Sequence, residues 1–464
     1  MKTTRRHLLR WAATGAAAAT IVPRHVLGGP HFVAPSEKVN VALVGAGGQG
    51  RTNLRALFQE PDVQVIAVAD PVEQCDLEAF YYRGLGGRRP IRAEIERQYA
   101  EKSPNFKCAA YEDFREMLEK EKAIDAVLCA TPDHLHAYVS VRSMRAGKHV
   151  FCEKPLTHNV WEARMVAKVA KETGVATQMG NIGHSREGIR QTCEWLWDGA
   201  IGPVREVHAW VGAQRWNKQL MGRPTESVPV PRGVNWDLWL GPRTPRPYHP
   251  AYLPVAWRDF WAFGGGALGD FGCHDLDAAM WALELGPPTS VEAKPAGHMN
   301  DEIAPHGTIC YFRFGPRGDK PPVQVTWYDG GLMPACPPEL PPTAALPDRG
   351  ALFRGEKGVM LCEGAGGPPR LLPFEKTRDY KKPPKKLVRS KGHHRDWIDA
   401  CKGGPPASAN FDYGARLTEL ALLGILSLRL GKRFEWDAAA MQARGLPQAE
   451  PILRGQYRQG WEIA

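Results

Sequence analysis

The sequence predicts an α/β protein in which a doubly wound parallel sheet is followed by an α+β domain with a large, mostly antiparallel open sheet. Three observations support this fold class. The chain has 464 residues, which is more than one ordinary domain uses. In its first part, continuous apolar runs alternate with helical patterns, as buried parallel strands and their crossover helices do. Beyond residue 181 this alternation stops, and proline- and glycine-rich loops separate the strand-like runs.

Composition and charge are typical of a folded globular protein, and no nucleic-acid partner is expected. Hydrophobic residues make up 43% of the chain and charged residues 24%, so wholesale disorder is not expected. The formal net charge is +10, but five basic residues lie within residues 1–28, which contain no acidic residue. The rest of the chain therefore carries +5. Its Lys/Pro run, residues 381–386, is interpreted as a solvated loop.

The first 28 residues are predicted to be a twin-arginine export signal. Arg5-Arg6 precede an Ala-rich stretch, residues 11–22, which is too short and too weakly apolar to span a membrane. Residues 29–37 are expected to be a linker, and the mature protein is expected to be periplasmic or otherwise extracytoplasmic. An amphipathic N-terminal helix is the alternative. No later segment reaches membrane-spanning length, so no membrane span is expected.

The first apolar runs have the order strand, glycine-rich turn, helix and strand. The run Val39–Val44 ends in the turn Gly45-Ala46-Gly47-Gly48-Gln49-Gly50, and a second run, Val63–Ala69, ends at Asp70. Glycines at this spacing allow a tight turn, close approach of the backbone to a pyrophosphate, and close helix packing. The N-terminus of the following helix offers free N–H groups to phosphates. We therefore predict a dinucleotide-binding site at Gly45, Gly47, Gly50 and Asp70.

NAD is the predicted cofactor. Asp70 lies twenty residues after Gly50, where it is placed to bind the adenine ribose hydroxyls and disfavours a 2′-phosphate. Arg51, beside the turn, argues mildly for NADP, so NADP remains open. A flexible glycine loop without a ligand is the alternative, and the strand–turn–helix setting argues against it.

The remaining apolar runs extend the first domain to residue 181. Residues 72–105 are charged and are predicted to form a mostly helical, enlarged crossover. The N-terminal dinucleotide-binding (Rossmann) domain is placed at residues 38–181, and a domain for substrate binding and oligomerisation at residues 182–464. Further strands are predicted at 124–130, 149–152, 176–179, 204–211, 308–314 and 323–327, helices at 161–171 and 417–430, and long loops at 221–254 and 334–350.

Two further motifs carry candidate catalytic residues. Lys154, in Glu153-Lys154-Pro155, follows a predicted parallel strand, and ligands of such sheets bind at this end of the strands. Asp270 and His274 are four residues apart, which places them on one face of a helix. Histidine is the usual general acid or base near neutral pH. The alternatives are a solvated lysine, a helix-capping aspartate and a histidine whose hydrogen bonds are satisfied within the protein.

No metal site is predicted. The run His274-Asp275-Leu276-Asp277 offers ligand atoms, but no third set of closely spaced ligands accompanies it. The ten cysteines show no paired metal spacing either. Cys129, Cys152 and Cys310 lie inside apolar runs and are interpreted as small buried hydrophobic residues.

From Lys38 to the C-terminus the chain resembles the Gfo/Idh/MocA superfamily, which includes glucose–fructose oxidoreductase and inositol dehydrogenases. The spacing of Asp270 and His274 is especially typical of dehydrogenases of this family, and the twin-arginine leader resembles that of exported bacterial members. The motifs that carry the resemblance are GAGGQG with VADP, ATPDHLH at 130–136, AGKHVFCEKPLT at 146–157, GALGDFGCHDLD at 266–277 and SKGHHRDWIDACKGG at 390–404.

The resemblance implies a nicotinamide-dependent oxidoreductase acting on a hydroxyl of a sugar or cyclitol. His274 would take the hydroxyl proton, Lys154 would orient the oxygen and stabilise its negative charge, and Asp270 would contact a neighbouring hydroxyl or tune His274. A homodimer or homotetramer through the C-terminal sheet is also implied. The residues implied to line the cofactor are Gln49, Thr131, Pro132, His136 and Glu153. Asn181, His184 and Asp277 are weaker candidates for substrate binding.

Two other functions remain open: a glycosidase that uses bound NAD for transient oxidation, elimination and re-reduction, and a non-catalytic sugar-binding protein on the same fold. The chain departs from the family in the insert 72–105 and in the Trp- and Pro-rich segment 210–261, and both are expected to shape the pocket. The insert and the linker 29–37 are the expected cover over a slowly released cofactor. The aromatic residues expected either to stack on sugar rings or to pack in the core are Trp210, Trp216, Trp236, Tyr248 and Trp257.

Overall fold

The structure is a computed structural model and describes residues 33–463 except 102 and 342. The predicted export signal, residues 1–28, and the first part of the predicted linker lie outside the described residues. Residues Pro35–Glu37 form a short 3-10 helix ahead of the first strand. Within the described part of the chain, no helix combines the length and apolarity needed to cross a membrane.

The N-terminal domain contains a six-stranded sheet and a separate two-stranded hairpin. The strands are β1 (Val39–Val44), β2 (Val63–Ala69), β3 (Cys75–Asp76), β4 (Leu85–Gly86), β5 (Ala109–Tyr111), β6 (Ala126–Cys129), β7 (His149–Cys152) and β8 (Thr177–Met179). The large sheet has the order β5-β2-β1-β6-β7-β8 and is parallel throughout, which confirms the predicted doubly wound sheet. Val44 pairs with both Ala69 and Cys129, so the loops after β1, β2 and β6 meet at one edge.

Five helices accompany these strands: α1 (Gly48–Leu57), α2 (Arg88–Ala100), α3 (Phe114–Lys120), α4 (Asp133–Arg145) and α5 (Val160–Thr173). α5 begins with a capping box, in which the Asn159 side chain accepts a hydrogen bond from the N–H of Glu162 and the Glu162 carboxylate accepts one in return. It ends at Gly174, whose φ of 66° closes the last turn. Both signals were readable in the sequence, and they fix the helix that follows the lysine motif.

The insert 72–105 is only half helical. α2 covers its second half, but residues 72–87 are irregular around the hairpin β3–β4, so the predicted mostly helical crossover is wrong for the first half. Gly84 and Gly87 have φ values of 71° and 99°, which a helix does not accommodate. This irregular half lies over the glycine-rich turn, because the N–H of Gly87 donates to the carbonyl oxygen of Ala46 at 2.8 Å.

The second domain is built on a nine-stranded mixed sheet. Its strands are β9 (Val204–Val211), β10 (Ser290–Ala296), β11 (Gly307–Phe314), β12 (Val323–Tyr328), β13 (Arg349–Gly355), β14 (Gly358–Glu363), β15 (Pro369–Leu372), β16 (Phe434–Asp437) and β17 (Gln442–Ala443). The order is β15-β14-β13-β9-β12-β11-β10-β16-β17, and β9 with β12 is the parallel pair in this otherwise antiparallel sheet. This confirms the predicted mostly antiparallel sheet, of which the sequence identified β9, β11 and β12.

The helices of the second domain position one face of the site. They are α6 (Glu187–Trp197), α7 (Trp236–Leu240), α8 (Gly266–Asp275), α9 (Asp277–Ala282), α10 (Glu375–Asp379), α11 (His393–Cys401), α12 (Phe411–Leu430) and α13 (Glu450–Arg454). α8 packs closely on α12, since a Cβ added at Gly272 would lie 3.1 Å from the Cβ of Ala421. α11 returns to the first domain, where Trp397 and Ile398 join the core around Val41.

Candidate active site

A cavity of about 560 Å³ opens between the two domains at the carboxyl ends of the parallel strands. Ligands of open parallel sheets bind at this end. The predicted cofactor turn and the predicted catalytic residues face the same continuous space. The predicted site residues in its wall are Gly45, Gly47, Gln49, Asp70, Thr131, Pro132, His136, Glu153, Lys154, Asp270 and His274.

The glycine-rich turn fits the pyrophosphate of a dinucleotide. Gly45 has a φ of 92°, and a Cβ there would lie 2.5 Å from the carbonyl carbon of Ala130. A Cβ at Gly50 would lie 2.0 Å from the carbonyl oxygen of Gly45, so α1 packs against the turn only without a side chain. At Gly47 an added Cβ meets nothing within 4 Å among the described residues, which leaves the turn open to the cavity. No side chain in the described part of the chain caps α1, so its first N–H groups are left for an anion.

Asp70 follows β2 and lines the same cavity. Its carboxylate accepts hydrogen bonds from the N–H groups of Ala46, at 2.6 Å, and Val72, at 2.8 Å. Burial raises the pKa of Asp70 to about 6, although both hydrogen bonds oppose the shift. Arg51, which argued for NADP, pairs with Glu94 at 2.9 Å, so its guanidinium is already engaged.

Glu153 connects the lysine motif to the cofactor helix. Gln49 and Asn53 of α1 both donate to one of its carboxylate oxygens, at 3.0 and 2.8 Å. Burial raises the pKa of Glu153, and Lys154 opposes that shift. His394 of α11 extends this hydrogen-bond network, because its Nε2 lies 3.1 Å from the side-chain oxygen of Asn53. This network ties α1, β7 and α11 together beneath the cavity.

His136 joins two loops of the cavity wall. Its Nδ1 lies 2.7 Å from the carbonyl oxygen of Pro155, and its Nε2 lies 2.8 Å from that of Thr131. Burial lowers the pKa of His136 to about 4, although the contacts with both carbonyl oxygens oppose the shift. Pro132 and Thr131 line the cavity directly. The main contacts of His136 are therefore with the protein, where they fix the segment that carries Lys154.

Lys154, Asp270 and Arg258 form one charged group in the cavity wall. The Nζ of Lys154 lies 2.5 Å from Oδ1 of Asp270 and donates to the carbonyl oxygen of the same residue at 2.7 Å. The Nε of Arg258 lies 3.1 Å from Oδ2 of Asp270. Burial opposes both charged forms, but the ion pairs outweigh it: the pKa of Asp270 is held below its usual value and that of Lys154 above. Asp270 thus positions Lys154, a role that the sequence analysis did not predict.

His274 follows Asp270 by one turn of α8 and lines the cavity. Its Nδ1 is buried and has no hydrogen-bond partner among the described residues. Burial, followed by the charge of Lys154, lowers the pKa of His274 well below its usual range. The imidazole is therefore neutral near pH 7 and is able to accept a proton. The unpaired nitrogen contradicts the alternative in which this histidine is satisfied within the protein.

Asp133 is a second titratable group of the wall that the sequence analysis did not identify. It is the first residue of α4 and is 3% exposed. Burial raises the pKa of its carboxyl to about 7, although Arg258 lowers it. A carboxyl group in this state exchanges protons near neutral pH.

The three weaker candidates for substrate binding lie behind the cavity wall. Asp277 accepts hydrogen bonds from Nδ2 of Asn181 at 3.0 Å and from the Tyr413 hydroxyl at 2.5 Å, and its carboxylate lies 3.0 Å from Nδ1 of His184. Asn181, His184 and Asp277 are at most 1% exposed and are not part of the cavity wall. They hold the segment after β8, from which Ile182 does reach the cavity. Direct contact of the three with a substrate is therefore contrary to the structure.

The aromatic residues of segment 210–261 divide between core and cavity. Trp210 and Trp236 pack in hydrophobic clusters. Tyr248 and Trp257 line the cavity. Trp216 is 37% exposed and stacks on Tyr81 of the insert, with the ring centroids 6.0 Å apart. Since Tyr81 also lines the cavity, the insert and this segment form its mouth together.

One group of described side chains has metal-ligand chemistry. Ligand atoms of Cys129, His136 and Cys152 lie within 4.8 Å of one another. Both ring nitrogens of His136 face backbone carbonyl oxygens, which leaves no direction free for a metal ion. We therefore assign no metal to this group.

Comparison with known proteins identifies the family. A dinucleotide turn facing a lysine and a histidine across a two-domain cavity defines the class of two-domain, dinucleotide-binding oxidoreductases. Residues 39–181 match the NAD-binding Rossmann fold of the Gfo/Idh/MocA oxidoreductase family, and residues 199–313 match the family's C-terminal α/β domain. Together the two matches span more than half of the chain. The protein belongs to the Gfo/Idh/MocA family of oxidoreductases.

Several curated relatives are similar over part of their length. Levoglucosan dehydrogenase from Pseudarthrobacter phenanthrenivorans is 24% identical over 248 residues, or 53% of this chain and 52% of the relative. 1,5-Anhydro-D-fructose reductase from Ensifer adhaerens is 28% identical over 43% of this chain and 50% of the relative. 2,7-Anhydro-N-acetylneuraminate hydratase from Escherichia coli is 32% identical over 20% of this chain and 24% of the relative. The chain thus spans about half, or less, of the length of these relatives.

Solved structures share the fold at low sequence identity. The WlbA dehydrogenase from Bordetella pertussis, in complex with NADH and UDP-GlcNAcA, has a TM-score of 0.56 at 18% identity, over 86% of this chain and 99% of that one. The aldose–aldose oxidoreductase from Caulobacter crescentus has a TM-score of 0.54 at 18% identity, over the same fractions. These structural similarities show that the chain has the same fold as these proteins.

The cavity residues that were missed from the sequence include Tyr82, Asp133, Arg258 and His394. For Asp133 and His394 a signal existed, because both lie inside the motifs ATPDHLH and SKGHHRDWIDACKGG. Tyr82 and Arg258 lie in the insert 72–105 and in the segment 210–261, where no motif distinguished them from surface residues.

Proposed function

We propose that the protein transfers a hydride between a hydroxyl-bearing carbon of a sugar or cyclitol and tightly bound NAD. The observation that carries this proposal is the single cavity shared by the glycine-rich turn, Lys154 and His274. Relatives named for levoglucosan and 1,5-anhydro-D-fructose support the substrate class. Asp70 at the end of β2, with Arg51 engaged elsewhere, supports NAD over NADP.

Lys154 and His274 act on the same substrate oxygen in this proposal. A bound nicotinamide supplies the hydride acceptor or donor. Lys154 is charged and held by Asp270, so it orients the oxygen and stabilises its negative charge while the C–H bond breaks. His274 is neutral and accepts the hydroxyl proton. In the reverse direction His274 returns that proton to the oxygen.

The insert supports slow release of the cofactor. A Cβ added at Gly48 would lie 2.1 Å from Cγ of Tyr82, so the tyrosine ring packs directly on the backbone of the dinucleotide turn. The hydrogen bond from Gly87 to Ala46 holds the same loop in place. A dinucleotide bound at this turn would leave only after the loop opens. Slow release suits a protein exported through the twin-arginine pathway, because free NAD is expected to be scarce outside the cytoplasm.

The test is to purify the exported protein, desalt it and assay it on sugars, cyclitols and glycosides. We expect nicotinamide absorbance to stay with the protein, and substrate to turn over without added NAD. Protein that emerges empty and needs free NAD in every cycle would contradict retention, but would leave the dinucleotide site in place. Release of an aglycone without net redox change would favour the glycosidase, and sugar binding without turnover would favour the non-catalytic reading.

We further propose export and self-association. Arg5-Arg6 supports export, and replacing the pair with lysines should keep the protein in the cytoplasm. The C-terminal sheet supports a homodimer or homotetramer. In β11, Cys310 and Phe312 face α12, whereas Ile309 and Tyr311 on the opposite face are only half-buried. Light scattering on the purified protein gives the number of subunits.

A further inference from the structure

Arg258 is a cavity residue that the roles proposed above do not use. It lies in a short 3-10 helix, Ala256–Asp259, within the segment that departs from the family pattern. Its guanidinium carbon is 4.2 Å from the centroid of the Trp257 ring, and its Nε faces Asp270 at 3.1 Å. The stacking and the ion pair together fix the plane of the guanidinium group.

The two terminal nitrogens of Arg258 are available to a ligand. Among the described residues neither Nη atom donates a hydrogen bond, and the nitrogen of Arg258 nearest to Asp270 is Nε. The Arg258 side chain is 14% exposed and lines the cavity, so its guanidinium group is accessible from the cavity. A fixed guanidinium with two free N–H donors matches the two oxygens of a carboxylate.

Two basic residues share one carboxylate at this position. Lys154 and Arg258 both pair with the single carboxylate of Asp270, one at each oxygen. Asp133 also faces the cavity, but its raised pKa of about 7 leaves it only partly ionised near neutral pH. Glu153 is held by amide groups of α1. An anionic group on the substrate would give Arg258 an acidic partner of its own, and a neutral sugar would not.

We propose that the sugar or cyclitol bound here is an acid whose carboxylate is held by the two Nη atoms of Arg258. This inference rests on the proposed function. Because Arg258 and Lys154 share Asp270, the carboxylate would bind close to the reacting hydroxyl, on a neighbouring part of the same small molecule. Arg258 would then act as a specificity-determining residue, while Lys154 and His274 perform the chemistry. A sugar phosphate presents similar anionic chemistry and is distinguished by the test.

The experiment measures binding by calorimetry to the protein as purified, with its dinucleotide. The probes are D-glucuronate and D-galacturonate, their neutral parents D-glucose and D-galactose, and D-glucose 6-phosphate. We expect each uronate to bind at least about tenfold more tightly than its parent, as one charge-assisted, bidentate contact implies. Arg258→Gln should remove this preference for uronates. Arg258→Lys should keep part of it, because lysine keeps the charge but cannot form the bidentate contact. Arg433→Gln, at an exposed arginine just before β16, is the control for loss of one charge.

Several results would overturn the inference. Equal binding of uronates and parents would do so, and so would an unchanged preference in Arg258→Gln. Tighter binding of the phosphate would assign the site to phosphates. If Arg258→Gln loses its dinucleotide while the preference persists, the guanidinium serves the cofactor. If that variant does not fold, an undiminished preference in Arg258→Lys refutes the role. Turnover of neutral sugars without binding of acids overturns this inference alone, whereas no binding of any sugar also overturns the proposed substrate class.

Discussion

Replacing Asp133 by asparagine tests whether the cavity wall contains a buried, ionisable carboxyl group. The pKa of this group rises from 3.8 to about 7 on burial, a difference of about three units. Between these two values the folded protein keeps the proton and the unfolded chain loses it, so stability falls as pH rises through this window. At about 1.4 kcal/mol per unit, the loss approaches about 4 kcal/mol once the pH exceeds 7.

Asp133→Asn removes this loss because asparagine does not ionise. Relative to the unmodified protein, the variant should therefore gain stability from about pH 4 to about pH 8, by up to about 4 kcal/mol. Urea unfolding followed by tryptophan fluorescence at several pH values gives the midpoint and slope for each protein. The comparison uses differences between the two proteins, so the other buried carboxyls, such as Asp70 and Asp329, cancel.

The control is Asp319→Asn, the same substitution at an exposed position. Its effect on the free energy of unfolding should not change across the pH range. A constant difference between Asp133→Asn and the unmodified protein at all pH values would refute the reasoning, because it would mean that the carboxyl ionises equally in the folded and unfolded states.

Four further substitutions test the cofactor and catalytic assignments. Lys154→Ala and His274→Ala should each lower kcat/KM by about 10²-fold or more, with folding and cofactor content unchanged; full activity in either variant removes that residue from the mechanism. Asp70→Ser should weaken binding of NAD more than that of NADP, as measured by titration, and unchanged NAD binding would contradict its role. Tyr82→Ala should speed the loss of nicotinamide during dialysis, whereas the control Tyr311→Ala, in β11 of the second domain, should not. Equal retention of nicotinamide in the two variants would refute the idea that Tyr82 covers the cofactor.

The Rossmann half was predictable because its signals are local. The run Val39–Val44, predicted from its continuous apolar sequence, is β1 with the same bounds. The turn Gly45–Gly50 and Asp70 belong to one strand–turn–helix–strand unit, and the Asp70 carboxylate accepts a hydrogen bond from Ala46 of the turn. The spacing of Asp270 and His274 needs only the rise of one helix to place both on one face. Each of these inferences uses fewer than thirty residues of sequence.

The parts that could not be predicted depend on partners far away in sequence. β13 contains two glycines and reads as a weak strand, and it is fixed by pairing with β9, more than a hundred residues earlier. Asp270 was expected to touch substrate or His274, because nothing in the sequence shows that Lys154 and Arg258 converge on it. The irregular half of the insert was read as helix from its charged composition, which outweighed its glycines.

The shared and the divergent parts of the chain have different functions in the cavity. Lys154 and His274 come from motifs that match the family, and they follow a buried strand or lie on a packed helix, where their geometry is rigid. Tyr82 and Arg258 come from the insert 72–105 and the segment 210–261, which are predicted to depart from the family, and both lie in loops or in a single short turn. Loops tolerate change without loss of the core, so they are where a family alters its ligands while keeping its reaction. If the proposed roles hold, the identity of the substrate should be sought in what Arg258 and its neighbours bind, because Lys154 and His274 are proposed to perform the reaction itself.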